Sequence, residues 1–394
     1  MGRTRVGIGC CVLAVGLLLL MTLPATARDP ILTNLHWVDH TSTAPGNVGQ
    51  AVKLSVRERV SAGQAQTFAS TGVTGKVVLF VHGATTPVGA AFDLPYEDYS
   101  WMEYLAQAGF DVFALDLTGY GWSPRPQMDN PCNVTQALQT SLLIPNPLAA
   151  PCSPDWPFTI TTSQSEWDEI DTVVDYIRRE RGVERVSLIG WSLGGRRTGG
   201  YTVRHPDKVE SLILLAPVFS PTGSSTPPAI VPAPGFPMSL TTKTGLLIDN
   251  WGGQAKCPGQ IEPGVQEIFW NRIMEFEGVA AGWGTPTHSM QRAQRGQGWG
   301  WNNAEAAAIQ VPVLLLIGDG DSLKPTAYTL YSALTGTTNK VLVEIACASH
   351  FVSVEAQHKV LHEASKQWLL HRSIRGEKQG FLSADVDGKF WKVQ

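Results

Sequence analysis

Along the chain, apolar residues collect in short, almost unbroken runs, and the stretches between them carry apolar residues at helical spacing. Residues 77–83 (Val-Val-Leu-Phe-Val-His-Gly) are the first such run and read as a buried strand closed by a turn. Residues 112–116 (Val-Phe-Ala-Leu-Asp) are the second, closed by Gly119 and Gly121, and residues 186–189, 212–215, 313–317 and 340–346 supply four more. Residues 97–109 read as a helix. Ser163-Gln164-Ser165-Glu166 reads as a capping box, and Trp167, Ile170, Val173, Val174 and Ile177 follow at helical spacing, predicting a helix of about four turns. A Gly-rich helix follows the 186–189 strand. Strands this uniformly apolar, alternating with helices, indicate a mostly parallel central sheet covered on both faces. The expected fold class is α/β.

Two stretches break the alternation. Residues 124–158 are rich in Pro and Asn and hold Cys132 and Cys152, which suggests an ordered excursion. Residues 218–308 open with six prolines and then offer an amphipathic helix, with Pro263 near its start and Val265, Ile268, Phe269, Ile273 and Phe276 along one side. That segment is too long for a simple connection, so a cap over the sheet is expected there. The core then comprises 28–217 and 309–394, with 124–158 as an insertion. At the start of the chain, Arg3 and Arg5 precede an apolar run from Val6 to Met21, and Leu23-Pro24-Ala25-Thr26-Ala27 supplies a small-x-small site. This is the pattern of a signal peptide spanning 1–27. As an uncleaved anchor, a helix of this run would reach only ~24 Å, short of a ~30 Å hydrocarbon core. A secreted or periplasmic protein with no stable membrane anchor after cleavage is expected.

Composition narrows the picture. With 394 residues, 43% hydrophobic and 16% charged, the chain is too apolar for disorder. A net charge of -4 and no basic run longer than two residues argue against nucleic acid as a partner. Cys10 and Cys11 would leave with the signal, so four cysteines remain, and in an exported chain these permit two disulfides in any of three pairings. No clustered Cys and His spacing suggests a metal. Asn133-Val134-Thr135 is a glycosylation sequon, relevant only in a eukaryotic secretory pathway.

The candidate chemistry begins at Gly190-Trp191-Ser192-Leu193-Gly194, a G-x-S-x-G sequence between an apolar strand and a helix. In that setting Ser192 sits at a sharp turn that projects Oγ above the sheet. A serine hydroxyl needs a base to take its proton, and the base needs an acid to hold its tautomer. Gly318-Asp319-Gly320-Asp321 follows one strand and Cys347-Ala348-Ser349-His350 another. Both lie beyond strand ends at the same edge of a parallel sheet as Ser192.

With these residues in hand, the chain resembles the α/β-hydrolase superfamily over roughly 75–370, the two insertions excepted. The resemblance rests on His82-Gly83, on Asp116 to Ser123 (Asp-Leu-Thr-Gly-Tyr-Gly-Trp-Ser), on the serine turn, on Gly318-x-x-Asp321 with Pro325, and on His350. It implies Ser192 as nucleophile, Asp321 as acid and His350 as base, with Asp319 capping its turn. It also implies oxyanion donors at the backbone N–H groups of Leu193 and Ala84, and a supporting role for His82. Asp116 and Ser123 are expected to organise their own turn. Trp191 suits either a pocket wall or the core, and Thr85 is placed at the pocket. Cys132 and Cys152 enclose few residues and are expected to pair, leaving Cys257 and Cys347 to join the cap to the His350 loop; Cys347 also suits a small buried position at a strand end.

The expected activity is that of a cofactor-independent serine hydrolase acting on a carboxylic ester. Lactonase, amidase and proline-aminopeptidase-like activities share the acyl-enzyme logic, and a binding protein on a hydrolase scaffold is the non-enzymatic alternative. Trp270, Met274, Phe276, Trp283, Met290, Trp299 and Trp301 in the cap segment, with no cluster of charge, suggest an apolar or aromatic pocket for an uncharged small molecule. Glu262, Glu267, Glu275 and Glu277 suit either a substrate amine or the solvated face of a helix.

Overall fold

A computed structural model of the protein describes residues 1–2, 29–71, 76–284 and 289–393. Apart from Met1 and Gly2, the expected signal peptide with its cleavage site lies outside the described residues. Ten strands make one sheet: β1 (Ile31–Thr41), β2 (Ala51–Ser61), β3 (Val77–Val81), β4 (Asp111–Asp116), β5 (Val186–Trp191), β6 (Val209–Leu215), β7 (Val313–Gly318), β8 (Lys340–Ile345), β9 (Gln379–Ala384) and β10 (Phe390–Val393). Their order across the sheet is β1-β2-β4-β3-β5-β6-β7-β8-β9-β10. From β4 through β9 every neighbouring pair is parallel. The pairs β1/β2, β2/β4 and β9/β10 are antiparallel.

The six apolar runs are the six inner strands β3 to β8, and β3, β4, β5 and β7 are buried at every residue. The flanking strands carry no such run. β1 is mostly solvent-facing, with Leu32, Leu35 and Trp37 exposed, so it lacks the continuous apolar signal of a buried strand. β9 and β10 are likewise half exposed and extend the sheet beyond Arg372.

The helices that bear on the site are α1 (Trp101–Gln107), α2 (Ser163–Arg181), α3 (Leu193–Arg204), α4 (Val265–Met274), α5 (Lys324–Ala333) and α6 (His358–His371). In α2 the capping box falls one residue earlier than expected. Thr162 is the N-cap, its side chain accepting the Ser165 N–H while the Ser165 hydroxyl accepts the Thr162 N–H. Thr161 and Thr162 pair with Gly296 and Gln297 as a short parallel ladder, which keeps Thr162 extended and sets the helix start. Glu166 is thereby released from capping and turns inward.

The two segments expected as insertions, 124–158 and 218–308, pack on each other. Residues 238–242 and 290–294 form an antiparallel pair, and Met238, Leu240, Ala280, Trp283 and Met290 share a small apolar core with Met128, Val134, Leu143 and Ile160. Cys132 pairs with Cys152 inside one insertion, and Cys257 pairs with Cys347 between the other and the loop after β8. Glu277, buried, bridges Arg125 at 2.7 Å and Arg292 at 2.9 Å. The aromatic residues of the 218–308 segment serve packing: Trp270, Trp299 and Trp301 are buried in the main core, and Trp283 in the smaller one. The segment's acids are engaged as well: Tyr99 Oη donates to Glu262, Lys243 pairs with Glu267, and Arg272 with Glu275.

Candidate active site

Ser192 stands between β5 and α3 with φ 56° and ψ -117°, a conformation rarely tolerated by a residue with a side chain. Backbone bonds enforce it: Ser192 N–H donates to Leu215 O at 2.8 Å, and Ser192 O accepts from Gly195 N–H and Val218 N–H, each at 2.9 Å. The turn is too tight for side chains on either flank. A Cβ on Gly194 would drive into the Val81 carbonyl, and one on Gly190 would lie 2.5 Å from both Gly194 O and Thr198 Oγ1. These contacts are the physical content of the G-x-S-x-G spacing. Among the described residues, Ser192 Oγ makes no side-chain hydrogen bond, and Ser192 is half-buried.

The structure brings Asp321 and His350 together. Asp321 follows β7 and is 4% exposed; its Oδ1 accepts Leu323 N–H at 2.8 Å, and its Oδ2 lies 2.9 Å from His350 Nδ1. Asp319 instead takes Ala348 N–H at 3.3 Å, which ties the two loops together. His350 is half-buried, and its carbonyl accepts the indole N–H of Trp191 at 3.0 Å. Trp191 is itself 2% exposed and packs on Phe92 and Phe351. Of the two places open to Trp191, the structure gives it the core, as a strut between the serine turn and the histidine loop.

The His350 loop is held by groups the sequence did not single out. Glu355, fully buried, accepts Ser349 N–H at 2.8 Å, the Ser349 hydroxyl at 2.5 Å, Trp251 Nε1–H at 2.9 Å and Gln260 Nε2–H at 3.1 Å. Burial nevertheless raises its carboxyl above the ordinary glutamate range, outweighing these donors. His350 N–H donates to Gln254 Oε1 at 3.3 Å. With the Cys257–Cys347 bond, the 251–260 stretch thus wraps the loop.

On the other side of Ser192 is the turn after β3. Gly83 packs against Ser192: a Cβ there would lie 2.9 Å from Ser192 Cβ and 3.5 Å from its Oγ. His82 is buried; its Nε2 accepts Leu117 N–H at 3.2 Å, so the ring proton lies on Nδ1, 2.7 Å from Gly83 O. Burial, and then the charge of Arg197, hold this histidine well below its usual pKa, so it stays neutral. Ala84 is exposed, and its N–H has no acceptor among the described residues. Leu193 occupies the first position of α3, where an N–H has no partner within the helix. Thr85 has φ 65°, and its hydroxyl donates to Ala84 O at 2.6 Å. Ser123 Oγ donates to Asp116 O at 2.5 Å and so organises their turn, whereas Asp116 Oδ1 accepts Val88 N–H at 2.9 Å and ties that turn to the segment after β3.

Comparison with known proteins agrees with this architecture. The α/β hydrolase fold family matches residues 76–254. The chain is 38% identical over 92 residues to the poly(3-hydroxyalkanoate) polymerase subunit PhaC of Allochromatium vinosum, and 31% identical over 102 residues to the human (lyso)-N-acylphosphatidylethanolamine lipase. These matches span 23% and 26% of this chain, and only 23% and 29% of those proteins. Among solved structures, a thermophilic esterase from Thermogutta terrifontis matches with a TM-score of 0.51 and 16% identity, covering 86% of this chain and all of that one. The strand order, the serine turn after β5 and these matches lead to one assignment: the chain has the α/β-hydrolase fold.

Proposed function

We propose that the protein is a serine hydrolase that cleaves a carboxylic ester of an uncharged small molecule through an acyl-enzyme. Ser192 is the nucleophile, His350 the general base and Asp321 the acid that orients it. The observation that carries this reading is the 2.9 Å contact between His350 Nδ1 and buried Asp321, on a loop strapped by Trp191 to the serine turn. Asp321 on Nδ1 leaves Nε2 free to accept the serine proton and return it to the leaving group. Leu193 and Ala84 N–H groups receive the oxyanion.

An uncharged substrate is favoured because the cations beside the turn are engaged: Arg197 and Arg196 both face Glu166, at 2.7 and 3.7 Å. The pairing of Glu262, Glu267, Glu275 and Glu277 within the protein likewise ranks amine-bearing peptides last. The joined insertions are proposed to act as a cap, since their 251–260 stretch meets the His350 loop. Export is supported by the apolar segment at 6–21 and the two cysteine pairs, and among the described residues no helix is long and apolar enough to cross a membrane.

The test is turnover of esters of graded acyl length, lactones and aminoacyl anilides by the parent protein and by Ser192→Ala, with fluorophosphonate labelling of both. Esters turned over best, with labelling lost in Ser192→Ala, are expected. A parent that neither reacts with the fluorophosphonate nor hydrolyses any substrate would leave only the binding-protein alternative.

A further inference from the structure

A guanidinium lies directly behind the turn that holds Ala84. Arg197 is 1% exposed; its Nη1 donates to His82 O at 2.9 Å and to Gly83 O at 3.2 Å, and its Nη2 donates to Glu166 Oε1 at 2.7 Å. Glu166 is 2% exposed and also accepts Gln294 Nε2–H at 3.1 Å. Burial works against the Glu166 charge, but the guanidiniums of Arg197 and Arg196 outweigh it and hold the carboxyl below the ordinary glutamate range. The pair is therefore ionised and matched. Tyr120 completes the arrangement: its hydroxyl accepts Thr85 N–H at 3.3 Å, and its ring stands edge-on to His82.

The orientation of the Ala84 N–H follows from peptide geometry. In a planar trans peptide the C=O and N–H point to opposite sides. Gly83 O is drawn inward to Arg197, so Ala84 N–H faces outward, on the side where Gly83 packs against Ser192. The next N–H, that of Thr85, is taken by Tyr120, whereas that of Ala84 has no acceptor among the described residues. Arg197 also lies on α3, whose first N–H is that of Leu193. One rigid helix thus sets both donors relative to Ser192. A lysine would supply a point charge in place of the planar fork that spans two carbonyls and a carboxylate.

We infer that Arg197, neutralised by Glu166 and aided by Tyr120, is a positioning residue that locks residues 82–85 so that Ala84 N–H faces the developing oxyanion. This rests on the serine-hydrolase reading above. Preorganised donors lower the barrier only if they stay in place, and a donor misplaced by about 1 Å costs on the order of 10²-fold in rate.

The experiment compares the parent with Arg197→Lys and Tyr120→Phe, the second of which leaves the buried ion pair intact. The readouts are kcat and KM on p-nitrophenyl acetate, the inhibition constant of a trifluoromethyl ketone whose adduct carries an oxyanion, and near-UV circular dichroism. For Arg197→Lys, kcat is expected to fall about 10²-fold, with KM little changed and inhibitor affinity falling in parallel; for Tyr120→Phe the expected fall is several-fold. A folded Arg197→Lys with parental kcat and inhibitor affinity would overturn the inference. If Arg197→Lys does not fold, parental values in Tyr120→Phe overturn it, and parallel losses there uphold it. A parent inactive toward both ester and fluorophosphonate instead refutes the serine-hydrolase reading, and the function of the clamp with it.

Discussion

The turn that carries Ser192 and the loop that carries His350 are held by different means. The serine turn is fixed locally: its backbone bonds involve the next strand and its own helix, and its shape depends on Gly190 and Gly194. The histidine loop is fixed from a distance, by a disulfide to Cys257, by Gln254, and by Glu355 with Trp251 and Gln260. A local constraint leaves a short motif in the sequence. A distant one leaves single residues scattered over about a hundred positions. The two sites should therefore fail differently when broken.

The largest effects are expected at the proposed reacting groups. Ser192→Ala, His350→Ala and Asp321→Asn should each lower kcat by roughly 10⁴-fold or more, because they act as a unit. Asp319→Asn should cost far less, since Asp319 holds Ala348 N–H and does not touch His350. Near-parental kcat in Asp321→Asn, with loss in Asp319→Asn, would reverse the assignment of the acid.

Next comes the serine turn. Gly194→Ala sets a methyl group against the Val81 carbonyl, which belongs to the central strand β3 and has no room to retreat. A displaced Ser192 is expected, with kcat down about 10²-fold or more and lower stability. Parental kcat and Tm together would show that the turn is not sterically set.

The histidine loop should fail more gently. Replacing Cys257 and Cys347 by Ala is expected to cost about 2–4 kcal/mol of stability, and about tenfold in kcat as His350 loses its outer strap. The matched double variant at Cys132 and Cys152, whose bond closes only residues 132–152, should lose stability while keeping kcat. Urea unfolding and turnover of the two double variants make the comparison. Equal losses of kcat would remove the distinction between a bond at the site and a bond elsewhere.

This contrast also explains what was legible in the sequence. β3 to β8 announced themselves because strands buried on both faces are continuously apolar. β1 and the β9/β10 hairpin did not, because edge strands mix exposed and buried positions and carry solvent-facing residues such as Leu32, Trp37 and Trp391. Ser192, Asp321 and His350 were marked by strand-end position and spacing, and the last two meet in space. Arg197, Glu166 and Glu355 were missed because a buried, paired charge reads in sequence like any surface charge. The one available signal was periodicity. Glu166 and Glu169 fall on the same side of α2 as the buried Trp167, Ile170 and Val173, which marks that face as unusually polar for a core.

The smallest effect on turnover is expected at Glu169, and it separates two glutamates that lie one turn apart on α2. Glu166 is held ionised by Arg197 and Arg196, whereas Glu169, equally buried, is met by Thr118, whose N–H donates to it at 2.9 Å. Burial, which outweighs that bond, pushes its carboxyl up to about 7 from an ordinary 4.5. Below pH 4.5 the carboxyl is protonated in both the folded and the unfolded chain, so the stability it contributes is fully present. As pH rises toward 7 the unfolded chain ionises while the folded one keeps its proton, and stability falls through that window by up to about 3 kcal/mol. Glu169→Gln keeps an oxygen for Thr118 and cannot ionise. Relative to the parent it should be nearly neutral at pH 4.5 and stabilising at pH 8, which urea unfolding at pH 4.5, 6 and 8 will measure. A stability difference that stays constant across that range would mean that Glu169 is charged in the folded protein, and that Arg197 serves both glutamates.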